Sequence, residues 1–158
     1  MKYIPGILRE VLHSLIRKLG ETPEQFVRRP RRDFTRPRKQ RFETVISLLL
    51  TMSENSVGKA LIKRFKSMEN TPSASALVQQ REKLLPAALE TLFQRFTACL
   101  RPTGHFQGYR LLAADGSDLK SAAYPGDPAS YRPGTARQHG WNLWHLNALY
   151  DLQSGIYT

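Results

Sequence analysis

The spacing of apolar residues changes once along this chain, at PTGHFQGYR, residues 102 to 110. Before it, apolar residues recur every third or fourth position, the repeat of one helix face. After it they come in short runs or on alternate positions, the repeat of strands. Gly104 and Gly108 mark the change as a boundary. This break predicts an all-helical region over residues 1–101, followed over residues 102–158 by a sheet domain that begins but does not finish.

Within the first region, Ile7, Leu8, Val11, Leu12, Leu15, Ile16 and Leu19 keep helical spacing, with Gly20 as a stop. TPEQ, residues 22–25, reads as a helix start in which Thr22 caps, Pro23 fits the first turn and Gln25 completes a capping box. RRPRRDFTRPRKQR, residues 28–41, carries eight bases and one acid. Pro30 and Pro37 make at least its first half extended or turning. Helical spacing resumes from about Pro37, with Thr35 as a cap and Phe42, Val45, Ile46, Leu49 and Leu50 as the apolar face. Val57, Leu61 and Phe65 predict a short helix, and TPSASALVQQREKLL opens another after Pro72. Pro86 either starts a further helix or kinks this one; Leu89, Leu92, Phe93, Phe96 and Leu100 continue the apolar face to Arg101-Pro102.

In the second region YRLLAAD, residues 109–115, reads as a strand buried among apolar neighbours and ending at Asp115. Residues 121–140 hold three Pro and three Gly and read as a long loop. WNLWHLNALYDLQ is apolar on both parities, as suits a strand covered on both faces. Ser154-Gly155 reads as a hairpin turn and IYT as the return strand. A chain stopping in mid-strand is expected to be the front of a larger α/β domain.

Charge divides along the same line. Residues 1 to 110 hold 21 Lys and Arg against 9 Asp and Glu, whereas residues 111 to 158 hold 3 against 4. The first part is suited to a polyanion, since a positive surface releases the counterions of nucleic acid. The candidate contacts are the bases of the 28–41 stretch: Arg28, Arg29, Arg31, Arg32, Arg36, Arg38, Lys39 and Arg41. Arg9 and Glu10 interrupt the apolar start, which argues against a signal peptide, and no run reaches the roughly 18 apolar residues of a membrane span. The single cysteine, Cys99, excludes an internal disulfide, so a cytoplasmic protein with no membrane partner is expected.

Two acids stand out because they sit three residues apart in a chain this basic: Asp115 and Asp118. A carboxylate ending a buried strand needs a neutralising partner. Asp118 can bond local amides in a turn, and Asp115 can cap the turn at Gly116. Alternatively Asp115 is a hard oxygen ligand for Mg²⁺ or Mn²⁺, the metals that serve phosphoryl transfer on nucleic acids.

DFTRPRKQRFETVISLLLTM, SASALVQQREKLLPAALETLFQRF, GYRLLAADGSDL and HLNALYDLQSGIYT occur in an order that resembles bacterial insertion-sequence transposases of the DDE class, in the branch related to insertion sequence four. The resemblance spans roughly residues 33 to 158. It implies a helical, DNA-binding N-terminal region followed by a ribonuclease-H-like domain whose first catalytic acid lies in the Asp-Gly-Ser motif. That acid is Asp115, as both catalytic residue and ligand of Mg²⁺ or Mn²⁺. It implies double-stranded transposon-end DNA as partner, with self-association or association with full-length transposase. The family's second Asp and its Glu have no counterpart here, so the expected product is a transposase fragment that binds metal weakly or not at all and is inactive alone. Asp118 and Asp151 fall outside the triad, Asp151 at a structural position. A non-enzymatic DNA-binding protein competing with full-length transposase, and an inactive degenerate product, are the other readings.

The remaining candidates carry less. His105, His139 and His145 fit no zinc spacing, and His145 is expected to pack in the sheet. Ser117 lacks a nucleophile-elbow context. Trp141 and Trp144 read as core and rim rather than as a base-stacking platform. The 121–140 loop, with Tyr124, Tyr131, Arg132 and Arg137, either touches DNA or has no role.

Overall fold

Leu15, Ile16 and Leu19 form one buried stripe on the first helix, and the helical part of the chain is assembled around it. The computed structural model describes residues 5–36, 40–52, 56–66, 71–100 and 105–157. They fold into two units, one ending at Cys99 and the other starting at Leu100. Among the described residues there are five α-helices, α1 (Pro5–Glu21), α2 (Phe42–Thr51), α3 (Val57–Phe65), α4 (Ala74–Arg81) and α5 (Ala87–Cys99). Four strands follow, β1 (Leu112–Ala122), β2 (Tyr131–Arg132), β3 (Trp141–Asp151) and β4 (Ile156–Tyr157), in one antiparallel sheet. The protein is thus mixed α and β, with its helices N-terminal. No described helix is long and apolar enough to cross a membrane.

In the helical unit α1 packs on α2 and α5, and α2 on α3 and α4. Phe42, Val45, Ile46 and Leu48 of α2 meet the α1 stripe, with Leu61, Leu77, Ala88 and Leu92 closing the core. Serines start two of the helices: Ser56 Oγ accepts the Lys59 N–H and Ser73 Oγ accepts the Ala76 N–H. α3 stops at Lys66, which is left-handed at φ 56° and donates its N–H to Ile62 O.

Several local expectations fail here, each for a reason. Pro23–Phe26 is a single 3₁₀ turn in which the Thr22 side chain makes no capping bond, because the chain must straighten at Val27 to pair elsewhere. Thr35 does not cap α2; its hydroxyl donates to Arg32 O inside a turn, and α2 starts at Phe42. Pro37, from which helical spacing was expected to resume, lies outside the described residues. Gly20 does not end α1, which continues to Glu21; a Cβ at Gly20 would collide with the Glu43 carboxylate. On α5 the buried positions are Ala88 and Leu92, while Leu89 and Phe93 are exposed. Pro86 precedes a new helix, its carbonyl accepting the Glu90 N–H, so it is no kink.

In the sheet unit β3 is the central strand. β1 pairs along its whole length, from Leu112 opposite Asp151 to Ala122 opposite Trp141. β2 and β4 pair with the two ends of its other edge. The turn at Gln153 to Gly155 forms as expected, with Gly155 at φ 71° donating to Asp151 O. β1 does not end at Asp115: it runs on to Ala122, so Asp115 is in mid-strand, and it is exposed rather than buried. β3 is not covered on both faces either. Leu112 and Leu149 are exposed on one side, and Leu119, Trp144 and Leu146 on the other.

The sheet's fixed point is an ion pair between a buried acid and an exposed base. Asp151 is wholly inaccessible, and its Oδ2 accepts from Arg110 Nε at 2.7 Å. Its Oδ1 accepts the backbone N–H groups of Ser154 at 2.9 Å and Gln153 at 3.1 Å, which ties the β3–β4 turn to the strand entering β1. The Arg110 guanidinium first, and the Ser154 amide second, hold the Asp151 carboxyl well below the usual carboxylate range.

Two expectations follow, and the chain carries its own probes for them: both tryptophans, Trp141 and Trp144, lie in β3, so fluorescence reads the sheet and ellipticity at 222 nm reads the helices. Leu19→Ala should lower the denaturant stability of the helical signal by about 2 to 5 kcal/mol, as for other buried leucines, and leave the tryptophan transition in place. Asp151→Asn should destabilise the tryptophan transition at neutral pH. A carboxyl depressed in the folded state stabilises above its unfolded value of about 3.9 and loses that contribution as pH falls. The gap between variant and wild type should therefore close progressively below about pH 5. An unchanged gap at acid pH would mean that the charge is not what matters.

Candidate nucleic-acid interface

The chain leaves the 3₁₀ turn in extended form, and Val27 pairs with Leu84 in an isolated antiparallel bridge. Arg28 N–H donates to Lys83 O at 2.8 Å and Leu85 N–H to Phe26 O at 2.9 Å. Phe26, Val27 and Leu84 are buried beneath it. From this anchor the arginine-rich stretch emerges as a tight turn. Asp33 N–H and Arg32 N–H both bond Arg29 O, and Arg29 N–H donates to Asp33 Oδ2 at 3.0 Å. Asp33, the stretch's one acid, is buried and spent on that backbone bond. Arg31 and Phe34 are left-handed, at φ 67° and 57°, a conformation that costs on the order of 1 kcal/mol or more for residues other than glycine.

The turn walls a cleft of about 470 Å³ with Arg29, Arg31, Arg32 and Arg36 on its own side and Gln80 and Lys83 opposite. The arginines are exposed, and among the described residues none of them forms an ion pair. Lys83 Nζ donates to Gln80 Oε1 at 3.1 Å and stands 6.0 Å from the Phe34 ring centre, whose edge in turn meets Phe42 at 5.7 Å. Gln40, also in the wall, is 6 % exposed, and among the described residues neither its Oε1 nor its Nε2 has a partner.

Of the eight bases singled out in the sequence, four line this cleft; Arg28 is exposed beside it, against a second depression shared with Arg29, Asp33 and Lys83. Arg38 and Lys39 lie outside the described residues. Arg41 lines a separate pocket of about 270 Å³ with His13, Arg17 and Arg64. Sequence reasoning missed Lys83 and Gln40. Lys83 is brought in only by the Val27–Leu84 bridge, which has no signature in spacing. Gln40 sat among bases and drew no notice.

The acids of the sheet are not gathered in the same way. Strand residues three apart face opposite sides, so Asp115 stands opposite Ala148 on one face and Asp118 opposite His145 on the other. Asp118 is therefore not in a turn. Its Oδ1 lies 3.0 Å from His145 Nδ1, with both side chains exposed, so His145 is not packed away as expected. A Cβ at Gly116 would lie 3.0 Å from the exposed His145 ring, so the ring sits close over the glycine. Trp144 is partly exposed, its Nε1 donating to Ser121 Oγ, and Lys120 Nζ lies 5.5 Å from the Trp141 ring. The segment 121–140 is not one long loop: Ser121 and Ala122 end β1 and Tyr131–Arg132 form β2, and the stretch between them is pinned by buried Asn142, which accepts the Tyr124 N–H and donates to Tyr124 O and Ser130 Oγ. His105, His139 and Cys99 are exposed. Among the described residues no three His, Cys, Asp or Glu converge. Asp115 alone does not make a site for Mg²⁺ or Mn²⁺, which need several fixed oxygens.

No family profile, no curated protein and no solved structure matches this chain.

Proposed function

We propose that the helical unit binds double-stranded DNA through the arginine turn, as part of a bacterial insertion-sequence transposase of the DDE class, with transposon-end DNA as its partner and the cytoplasm as its setting. The observation that carries the reading is the cleft: Arg29, Arg31, Arg32, Arg36 and Lys83 line one space, and Asp33, the one acid in its wall, is buried with a carboxylate oxygen bonded to the Arg29 backbone N–H. Guanidinium groups free of carboxylates are held ready for phosphate, whose geometry matches their paired N–H groups. Binding replaces the mutual repulsion of these cations with phosphate contacts and releases counterions. In this reading the sheet is the opening of a ribonuclease-H-like domain, and Asp115, exposed in mid-strand, is its first carboxylate. Mg²⁺ or Mn²⁺ would require further carboxylates beyond the described residues. The rival, a DNA-binding competitor without catalysis, needs only the cleft.

Fluorescence anisotropy on a labelled duplex, across a salt series, tests this. Log affinity should fall linearly with log salt, with a slope of about −0.9 for each phosphate neutralised. Replacing Arg29, Arg31, Arg32 and Arg36 together by Ala should weaken binding by at least about tenfold near 0.1 M salt and flatten the slope by roughly 2 to 4. Replacing Lys120, Arg132 and Arg137, or Asp115→Asn, should leave affinity nearly unchanged. Salt-independent binding, no binding at low salt, or a larger effect from the sheet residues would overturn the proposal.

A further inference from the structure

We infer that the arginine cleft, in addition to holding duplex phosphates, accepts one unpaired nucleotide of a DNA strand, base included, with Gln40 as the group that meets the base. The inference rests on the DNA-binding reading and extends it. Phosphate contact alone needs no more than an exposed row of cations. This cleft is about 470 Å³, within the range of sites that enclose small organic ligands, and it has depth: its wall includes the half-buried Phe34 ring and the Gln40 side chain.

Gln40 discriminates between the possible occupants. Its amide is shut off from solvent with both the donor and the acceptor unused among the described residues, an arrangement that costs free energy for each orphaned group. A phosphate oxygen can satisfy Nε2 only; it would leave Oε1 unpaired and place negative charge beside it. A nucleobase edge satisfies both, since adenine offers an N6 donor next to an N7 acceptor, the pattern a side-chain amide pairs with. Phe34 supplies an aromatic wall of the kind on which unstacked bases rest. Arg29, Arg31 and Arg36 are placed to take the flanking phosphates. Gln40 lines the same cleft as the long, exposed arginine side chains, so a base entering among them meets its wall. The strand, rather than a free nucleotide, is the source, since one phosphate would leave most of the five cations unused.

The experiment compares three labelled DNAs with the full chain: a continuous duplex, the same duplex with one bulged adenine, and the same duplex with an abasic residue at the bulge. The bulged adenine should bind more tightly than the abasic bulge by about tenfold, the order of a bidentate amide–base pair. Gln40→Leu, close in size and without hydrogen bonds, should abolish that preference while keeping the affinity and salt slope for continuous duplex. Equal binding of adenine and abasic bulges by the wild type overturns the inference without any variant, as does a preference that survives in Gln40→Leu. Displacement of the bulged DNA by micromolar dAMP would overturn the strand as the source. Continuous-duplex binding, measured on the same samples, separates failure of this inference from failure of the DNA-binding reading itself.

Discussion

Two backbone hydrogen bonds, Arg28 N–H to Lys83 O and Leu85 N–H to Phe26 O, hold the helical unit's working parts in place. They are an isolated bridge, not a sheet, and they sit on buried Phe26, Val27 and Leu84, which keep water from competing for them. The bridge does three things at once. It ends the 3₁₀ turn by drawing the chain straight. It fixes the segment between α4 and α5, and so where α5 starts. It brings Lys83 against a turn that is remote in sequence. With the chain clamped at Arg28, the turn closes within a few residues through Asp33, and two left-handed residues are held against their preference.

The sheet relies on a different device. Asp151 is a charge with no exposure, tolerable only because Arg110 and two turn amides surround it. Its partners come from the two sides of β3: the strand entering β1 and the turn leading to β4. One carboxylate thus sets where β1 enters and where β4 returns. Asp115, the acid that first drew attention, needs no such partner because it is exposed. The cost that makes a buried carboxylate conspicuous falls on Asp151, at the end of the largely apolar β3.

Helix positions were legible from apolar repeats, as at Leu15–Leu19, and from proline, as in the helix expected after Pro72. They were misread where a capping sequence met a tertiary demand: TPEQ has the residues of a capping box, but the bridge at Val27 permits only one 3₁₀ turn. The long strand β3 and its return turn were legible from composition and Gly155. The length of β1 was not, because Asp-Gly-Ser reads locally as a turn, whereas all three residues pair with β3. The arginine turn was visible as charge. The cleft was not, since two of its informative members, Lys83 and Gln40, are defined by what lies across from them.

Concentrating cations around one cleft raises the energy of the folded state by itself, since like charges at short range repel and only salt screens them. Nothing in the core demands this arrangement, because the arginine side chains are exposed and the core beneath is made by Phe26, Val27, Phe42 and Leu84. A structural role would be served better by pairing these arginines with carboxylates on α4. Instead Asp33, the one acid in the cleft wall, bonds backbone with a carboxylate oxygen, Glu82 of the adjoining depression forms no ion pair among the described residues, and the amide of Gln40 has no partner among them. These features oppose stability, and a polyanion with a base to offer relieves them at once. That asymmetry, an interface less satisfied alone than it would be when occupied, is the physical ground for reading the turn as a binding surface and not as a solvated loop.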